Sequence, residues 1–215
     1  LPENTDTSNP VKMGDIAITD PDGGANVVTL DGPDAASFEV AGSELQLKAG
    51  VAFDYETKTS YAVTLTTGSV SIDHTLAITN VNDPATVHTV PAQNHIENSD
   101  SFTVDVSVTD PDHGEAKLRN ETLQGTYGTV EVSDSGFTFT EHSSIDSLAE
   151  GQTASDTFTL ESVDGTGTAV FRVNYTGIND APVADAGGDW AVIPGETVPV
   201  NGTQSSAVDQ QETLT

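Results

Sequence analysis

The acidic residues of this chain recur in a pattern. Thr19-Asp20-Pro21-Asp22-Gly23 returns a domain's length later as Thr109-Asp110-Pro111-Asp112-His113. Asn82-Asp83-Pro84 returns as Asn179-Asp180-Ala181-Pro182, and Glu3-Asn4-Thr5 as Glu97-Asn98-Ser99. Carboxylates and amides are hard oxygen donors, and calcium takes about 6 to 8 such oxygens at about 2.3–2.6 Å, in irregular shells that magnesium tolerates poorly. Binding a hard cation is therefore the chemistry these residues can do together. A single Asp-Pro-Asp-Gly is ordinarily a turn, because proline sets φ and aspartate caps the loop. Repetition in step with two other acidic positions makes it a candidate ligand set, and a repeat of this length marks structural modules that carry the oxygens near their ends.

Carboxylate pairs also suit glycoside hydrolysis, which turns on a spatial separation of about 5–10 Å that sequence does not fix, but the acids are better explained as ligands, and the remaining chemistries find no support. Serine is abundant, but there is no Gly-x-Ser-x-Gly elbow, no paired histidine and acid, and no phosphate-cradling glycine loop. His74, His88, His95, His113 and His142 form no close metal-binding pair, so solvated strand or loop positions are expected for them. With no cysteine, disulfides and zinc-thiolate sites are excluded. The 34 acidic residues outnumber 6 basic ones for a net charge of -28, which repels nucleic acid and anionic lipid alike. Divalent cations would relieve that repulsion where carboxylates converge. No apolar run of about 18 residues is present, so membrane insertion is not expected. The chain reads as an excised piece of a larger protein, without catalytic residues of its own.

The elements that must hold the acids are strands. Apolar residues alternate with a period of two at Ile16 and Ile18, Val28 and Leu30, Leu45 and Leu47, and Tyr61, Val63 and Leu65, then at Leu76 and Ile78. The pattern resumes at Phe102 to Val108, Val130 and Val132, Phe137 and Phe139, Phe158 and Leu160, and Ala169 to Tyr175. Glycine, proline, asparagine and aspartate punctuate these runs, and Ser133-Asp134-Ser135-Gly136 has the form of a hairpin connection. No long helical stripe appears, and only Ser143 to Leu148 suits a helical turn. The pattern predicts an all-β chain of tandem antiparallel β-sandwiches of the cadherin or immunoglobulin type, with Greek-key connections. The expected divisions are residues 1–85, 86–182 and an incomplete third segment, 183–215.

Residues 2–84 resemble the bacterial cadherin-like family through Pro2-Glu3-Asn4, Asp20-Pro21-Asp22, Asp54-Tyr55-Glu56 and Asn80-Val81-Asn82-Asp83-Pro84. Asn80 stands where the family usually has aspartate, and Pro84 replaces a further asparagine. Residues 97–182 resemble a VCBS-type repeat of RTX adhesins, through Thr109-Asp110-Pro111-Asp112, Gly125-Thr126-Tyr127-Gly128-Thr129-Val130, the stretch Leu148 to Phe158, and Gly177-Ile178-Asn179-Asp180-Ala181-Pro182. Residues 183–215 resemble the opening of a PKD-type sandwich, through Ala184 to Asp189 and Gly195-Glu196-Thr197-Val198, without its later tryptophan stretch.

These resemblances imply a calcium-binding, non-catalytic module pair of a secreted bacterial surface adhesin. Glu3, Asp54, Glu56, Asn82 and Asp83 of the first module would share calcium with Asp110 and Asp112 of the second. Asp20 and Asp22 would serve a preceding module, and Glu97, Asn179 and Asp180 a following one, with Asp164 and Asp209 as weaker members. Neighbouring modules are then the principal partners. The rival expectations are a module binding cell-surface polysaccharide or another cadherin-like domain, for which Tyr55, Tyr127 and Trp190 are the aromatics to inspect, and an accessory region of a secreted hydrolase.

Overall fold

A computed structural model describes residues 1–21, 23, 26–185 and 205–206. Asp22, Trp190 and Asp209 lie outside the described residues, as does nearly all of the segment expected to open a third sandwich; Val183 forms one antiparallel bridge with Ser206. The chain divides into two compact units, Leu1–Asp83 and Pro84–Thr215.

The first unit is a sandwich of two three-stranded sheets. β1 (Val11–Asp15), β4 (Glu44–Leu47) and β3 (Phe38–Ala41) form one sheet in the order β1-β4-β3. β2 (Thr29–Asp31), β5 (Ser60–Thr67) and β6 (Val70–Ala77) form the other in the order β2-β5-β6. Alternate residues project to one face of a strand, so Leu45 and Leu47 of β4 meet Val63 and Leu65 of β5, and Phe38, Leu76 and Ile78 complete the core. Each such buried side chain contributes about 1.5–3 kcal/mol relative to exposure. The alternation at Ile16 and Ile18 does not extend the strand as the pattern predicts: β1 ends at Asp15, after which the Ile16 N–H donates to the Ser43 carbonyl at 2.7 Å.

The second unit has a larger core. β9 (Phe102–Asp105), β11 (Glu121–Gln124), β12 (Gly128–Ser133) and β13 (Gly136–Glu141) make a sheet in the order β11-β12-β13-β9. Opposite it, β8 (Gln93–Ile96), β14 (Thr153–Glu161) and β15 (Thr168–Thr176) are ordered β14-β15-β8, with β8 parallel to β15. A short antiparallel pair joins β7 (Thr86–Val87) to β10 (Val108–Thr109). Asp134 and Ser135 form the expected two-residue hairpin between β12 and β13, whose last paired residues are Ser133 and Gly136. The period-two phenylalanines point inward: Phe137 stacks on Phe171 with centroids 4.4 Å apart, and Phe102 on Phe139 at 5.0 Å.

Two polar groups sit within this aromatic core. The Tyr175 hydroxyl donates to Asp156 Oδ2 at 3.1 Å, and burial together with that carboxylate pushes its pKa above the usual phenol range. His95, expected in a solvated position, is instead buried against Phe102, Phe139 and Tyr175, with Nε2 2.8 Å from Glu141 Oε2. A strand residue on the inward face is buried whatever its polarity, and the carboxylate supplies the partner that makes this tolerable.

Gly128 shows how tight the packing is, since an added Cβ would lie 2.2 Å from Phe139 Cε2 and 2.9 Å from the Thr140 carbonyl. Overpacking a filled core costs about 1–3 kcal/mol. Gly128→Ala should therefore lower the melting temperature of the second unit and leave the first unit's transition in place, as checked by differential scanning calorimetry.

Candidate metal centres

Among the described residues, three groups of carboxylates gather at strand ends, each within one unit. In the first unit the Glu3 N–H donates to the Thr79 carbonyl at 3.1 Å, which fixes Glu3 beside the end of β6. Its Oε1 accepts the Val81 N–H at 2.7 Å and its Oε2 the Tyr55 N–H at 2.6 Å. One side chain thus ties together the acidic turn and the segment that follows β6. Asp54 organises that turn by accepting the Thr57 N–H and hydroxyl, both at 2.9 Å. The result is that carboxylate oxygens of Glu3, Asp54 and Glu56 lie within 4.8 Å of one another. Asn82 and Asp83 follow in the chain, with Asn82 Nδ2 donating to the Asp83 carbonyl at 3.1 Å.

Glu97 repeats the arrangement in the second unit and buries it more deeply. Its N–H donates to the Thr176 carbonyl at 3.0 Å, and its Oε2 accepts the Ile178 N–H at 2.8 Å. The residue is only 2% exposed, and Oε1 is buried without a hydrogen-bond partner. The chain turns directly afterwards through Asn98, whose φ of 58° is one that asparagine tolerates. Carboxylate oxygens of Glu97, Asp146 and Asp180 fall within 4.8 Å of one another. At an effective dielectric of about 20, two carboxylates some 5 Å apart repel by on the order of 3 kcal/mol. Burial pushes the Glu97 pKa above its ordinary value of 4.5, the Ile178 N–H opposes that, and the charges of Asp180 and Asp146 add to it.

The third group, Asp110, Glu115 and Asp164, lies within the same distance limit at the other end of β15. Asp110 Oδ1 accepts the Asp112 N–H at 2.8 Å, closing the Asp-Pro-Asp turn, while Oδ2 is buried without a hydrogen-bond partner. Asp112 is buried as well, and its carbonyl accepts the Glu115 N–H at 3.2 Å. Asp164 accepts hydroxyls from Ser162 and Thr166, which fixes it at the start of the hairpin leading into β15.

The expected ligands are therefore sorted differently from the sequence pattern in three places. Asp164 joins Asp110 rather than Glu97, because it precedes β15 whereas Asp180 follows it, and the strand separates the two. Asp146 and Glu115 were missed. Asp146 sits in the 3₁₀ turn Ser143–Ser147 between β13 and β14, the place that the Asp54-Tyr55-Glu56 turn occupies between β4 and β5, and that topological equivalence was its one signal. Asp112, Asn82, Asp83 and Asn179 accompany these groups in sequence without being members of the carboxylate trios. Asp20 lies in its own turn, its carbonyl accepting the Gly23 N–H at 3.4 Å, outside the three groups among the described residues.

Every donor in these groups is a carboxylate oxygen, and two of the oxygens are buried without a partner. Such a set suits a hard divalent ion and suits soft metals poorly. Tyr55 is half-buried against the first core, and Tyr127 is half-buried with its ring centroid 5.3 Å from that of Tyr175.

No protein-family model and no curated protein matches the chain. Among solved structures, it is similar to repeats EC22-24 of mouse cadherin-23, with 14% identity and a TM-score of 0.51 over 86% of this chain and 65% of that one. It is also similar to repeats EC1-3 of mouse protocadherin-24, with 14% identity and a TM-score of 0.50 over 85% of this chain and 63% of that one. The chain spans less than two thirds of either structure. At that identity the likeness shows the fold, an all-β cadherin-like sandwich architecture.

A carboxyl group whose pKa is raised by folding holds more protons than it does in the unfolded chain, between the unfolded and folded values. Metal-free protein should therefore lose stability through Glu97 as pH rises from its ordinary 4.5 through the raised value. Glu97→Gln keeps an acceptor for the Ile178 N–H and removes the charge. In chelator at pH 7 the variant's second unit should be more stable than wild type by about 1–3 kcal/mol, and the difference should vanish below the ordinary pKa. Thermal melts across pH 4–8 in chelator check this.

Proposed function

We propose that the chain is a pair of calcium-stiffened spacer modules from a large secreted bacterial surface protein of the RTX-adhesin type. The observation that carries this reading is the buried, unpartnered Oε1 of Glu97, held among the carboxylates of Asp146 and Asp180. Evolutionary or structural accident leaves acids at surfaces readily, but enclosing a carboxylate beside two others costs free energy unless a cation compensates it.

In this reading Glu3, Asp54, Glu56, Asn82 and Asp83 serve the seam with the next module, whose Asp110 and Asp112 supply further oxygens together with Glu115 and Asp164. Glu97, Asn179, Asp180 and Asp146 serve the seam beyond, and Asp20 and Asp22 the seam before. A bound calcium ion supplies two positive charges and a multi-oxygen link. The protein's part is to present the donors already oriented: Glu3 and Glu97 by backbone N–H groups, Asp54 by the Thr57 hydroxyl, Asp164 by those of Ser162 and Thr166. Extracellular modules hold calcium at about 10⁻⁴–10⁻³ M, so such sites would fill outside the cell and stay empty in the cytosol. Neighbouring modules are the principal partners in this reading.

Calcium titration followed by calorimetry and small-angle scattering tests this proposal. Saturable binding in the micromolar-to-millimolar range, a rise in melting temperature, and a longer, narrower distance distribution are expected, each reversed by chelator and weakened in Glu97→Gln. Unchanged scattering and unchanged melting at millimolar calcium would count against it.

A further inference from the structure

Asparagine followed two residues later by threonine, with any residue but proline between, is the acceptor pattern for an N-linked sugar. The chain contains it at Asn120-Glu121-Thr122, Asn174-Tyr175-Thr176 and Asn201-Gly202-Thr203. The last of these lies outside the described residues. The fold treats the other two in opposite ways.

Asn174 lies within β15, the middle strand of its sheet, and pairs with Ser155 of β14 on one side and Asn94 of β8 on the other. Its Nδ2 donates to Asn94 Oδ1 at 3.0 Å. Tyr175, the residue between Asn174 and Thr176, is fully buried with its hydroxyl on Asp156. A sugar-transferring enzyme must draw all three residues into its own cleft. Here that means lifting a middle strand and a core tyrosine out of the sandwich, an opening whose cost approaches that of global unfolding.

Asn120 is presented for the same step. The Arg119 N–H donates to the Glu161 carbonyl of β14 at 2.9 Å, whereas Glu121 pairs with Val132 of β12, so Asn120 is the step at which the chain passes from one sheet to the other. Leu118, only 1% exposed, anchors the segment just ahead of it. Asn120 itself is exposed, and among the described residues no hydrogen bond engages its side-chain amide. Thr122 stands on the exposed face of β11 and donates to Glu131 Oε2 at 2.8 Å, a bond that water or an enzyme group can replace. β11 is the outer strand of its sheet, so freeing this segment disturbs one neighbour instead of two.

We infer that Asn120 is a site of N-linked sugar attachment and that the fold withholds Asn174 from the same reaction. The donor is a sugar activated as a diphosphate. Asn120 Nδ2 attacks the anomeric carbon, the N–C bond forms as the bond from that carbon to the diphosphate oxygen breaks, the diphosphate leaves with the electron pair, and the amide gives up one proton to a base of the transferring enzyme. A bulky hydrated group beside an outer strand also opposes edge-to-edge association. The site uses none of the carboxylate trios, so the inference is independent of cation binding.

The 215-residue chain tests it in two reactions. One contains uridine diphosphate glucose and a soluble asparagine glucosyltransferase; the other contains a polyprenyl-diphosphate oligosaccharide and a membrane oligosaccharyltransferase that reads Asn-x-Thr. Peptide mass spectrometry should find sugar at Asn120 in at least one reaction, with a single hexose or a whole oligosaccharide telling which donor the site takes. Asn174 should stay bare in both, although a short synthetic peptide carrying Asn174-Tyr175-Thr176 is labelled. Asn120→Gln and Thr122→Ala should lose the label at this position and Thr122→Ser should keep it, with melting temperatures little changed, which separates loss of the acceptor from loss of the fold. A bare Asn120 in reactions that label the Asn174 peptide would overturn the inference. So would sugar on Asn174 of the native chain at the level found on Asn120, since the fold would then select nothing.

Discussion

Like charges brought close together at the ends of strands are the constraint on which the arrangement of this protein depends. A β-strand is stiff and rises about 3.3 Å per residue, so it can hold two sets of acids far apart while fixing each set tightly at its own end. β15 does this in the second unit, with Asp164 before it and Asp180 after it. Carboxylates within 4.8 Å of one another, all but Asp54 partly or fully removed from water, repel in a medium that screens them weakly. Backbone N–H groups offset part of that cost by donating to Glu3 and Glu97, but they leave Glu97 Oε1 and Asp110 Oδ2 enclosed and without hydrogen bonds. The cores must therefore be stable enough to hold these acids in place.

The second unit meets that demand with aromatic packing. Phe137, Phe139, Phe158, Phe171 and Tyr175 join across the sandwich, and Gly128 lets the chain pass close to the Phe139 ring. The same packing places site residues indirectly. The 3₁₀ turn that carries Asp146 is pinned by Ile145, which is fully buried, so the aspartate's position is set by the apolar neighbour one residue before it. In the first unit the equivalent turn is held differently, by the Tyr55 N–H on Glu3 and the Thr57 contacts to Asp54. Two cores of different composition thus deliver acids to equivalent topological places.

Much of this was legible in the sequence because strand alternation reports a face directly. Leu45 and Leu47, Val63 and Leu65, Phe137 and Phe139, and the β15 residues Ala169 to Tyr175 all pack as the period-two pattern requires. The acidic repeats likewise marked Glu3, Glu97, Asp110 and Asp180, and the cadherin-like resemblance marked Asp54 and Glu56; each falls in a carboxylate trio. What could not be read was how loops fold back in space. Asp146 and Glu115 belong to no recurring motif, and Asp164 could be assigned to the correct end only once β15 was seen to separate it from Asp180. His95 was misjudged because polarity suggests solvent, whereas its strand position on the inward face decides its burial.

Ile16 and Ile18 show why the two units differ although their motifs match. Alternation is a statement about which face a residue would take within a sheet, and it becomes structure only where a neighbouring strand supplies hydrogen bonds. Val108 and Thr109 have that neighbour in β7, and the turn beginning at Asp110 is correspondingly ordered, with Oδ1 capping the Asp112 N–H and Asp112 buried. Ile18 and Thr19 have no strand partner among the described residues, and Ile18 is 38% exposed. The turn that follows them contains the same Thr-Asp-Pro-Asp sequence. Burial of an acidic residue in this motif therefore follows strand pairing as well as the motif itself, since Asp112 is buried behind the paired Val108 and Thr109.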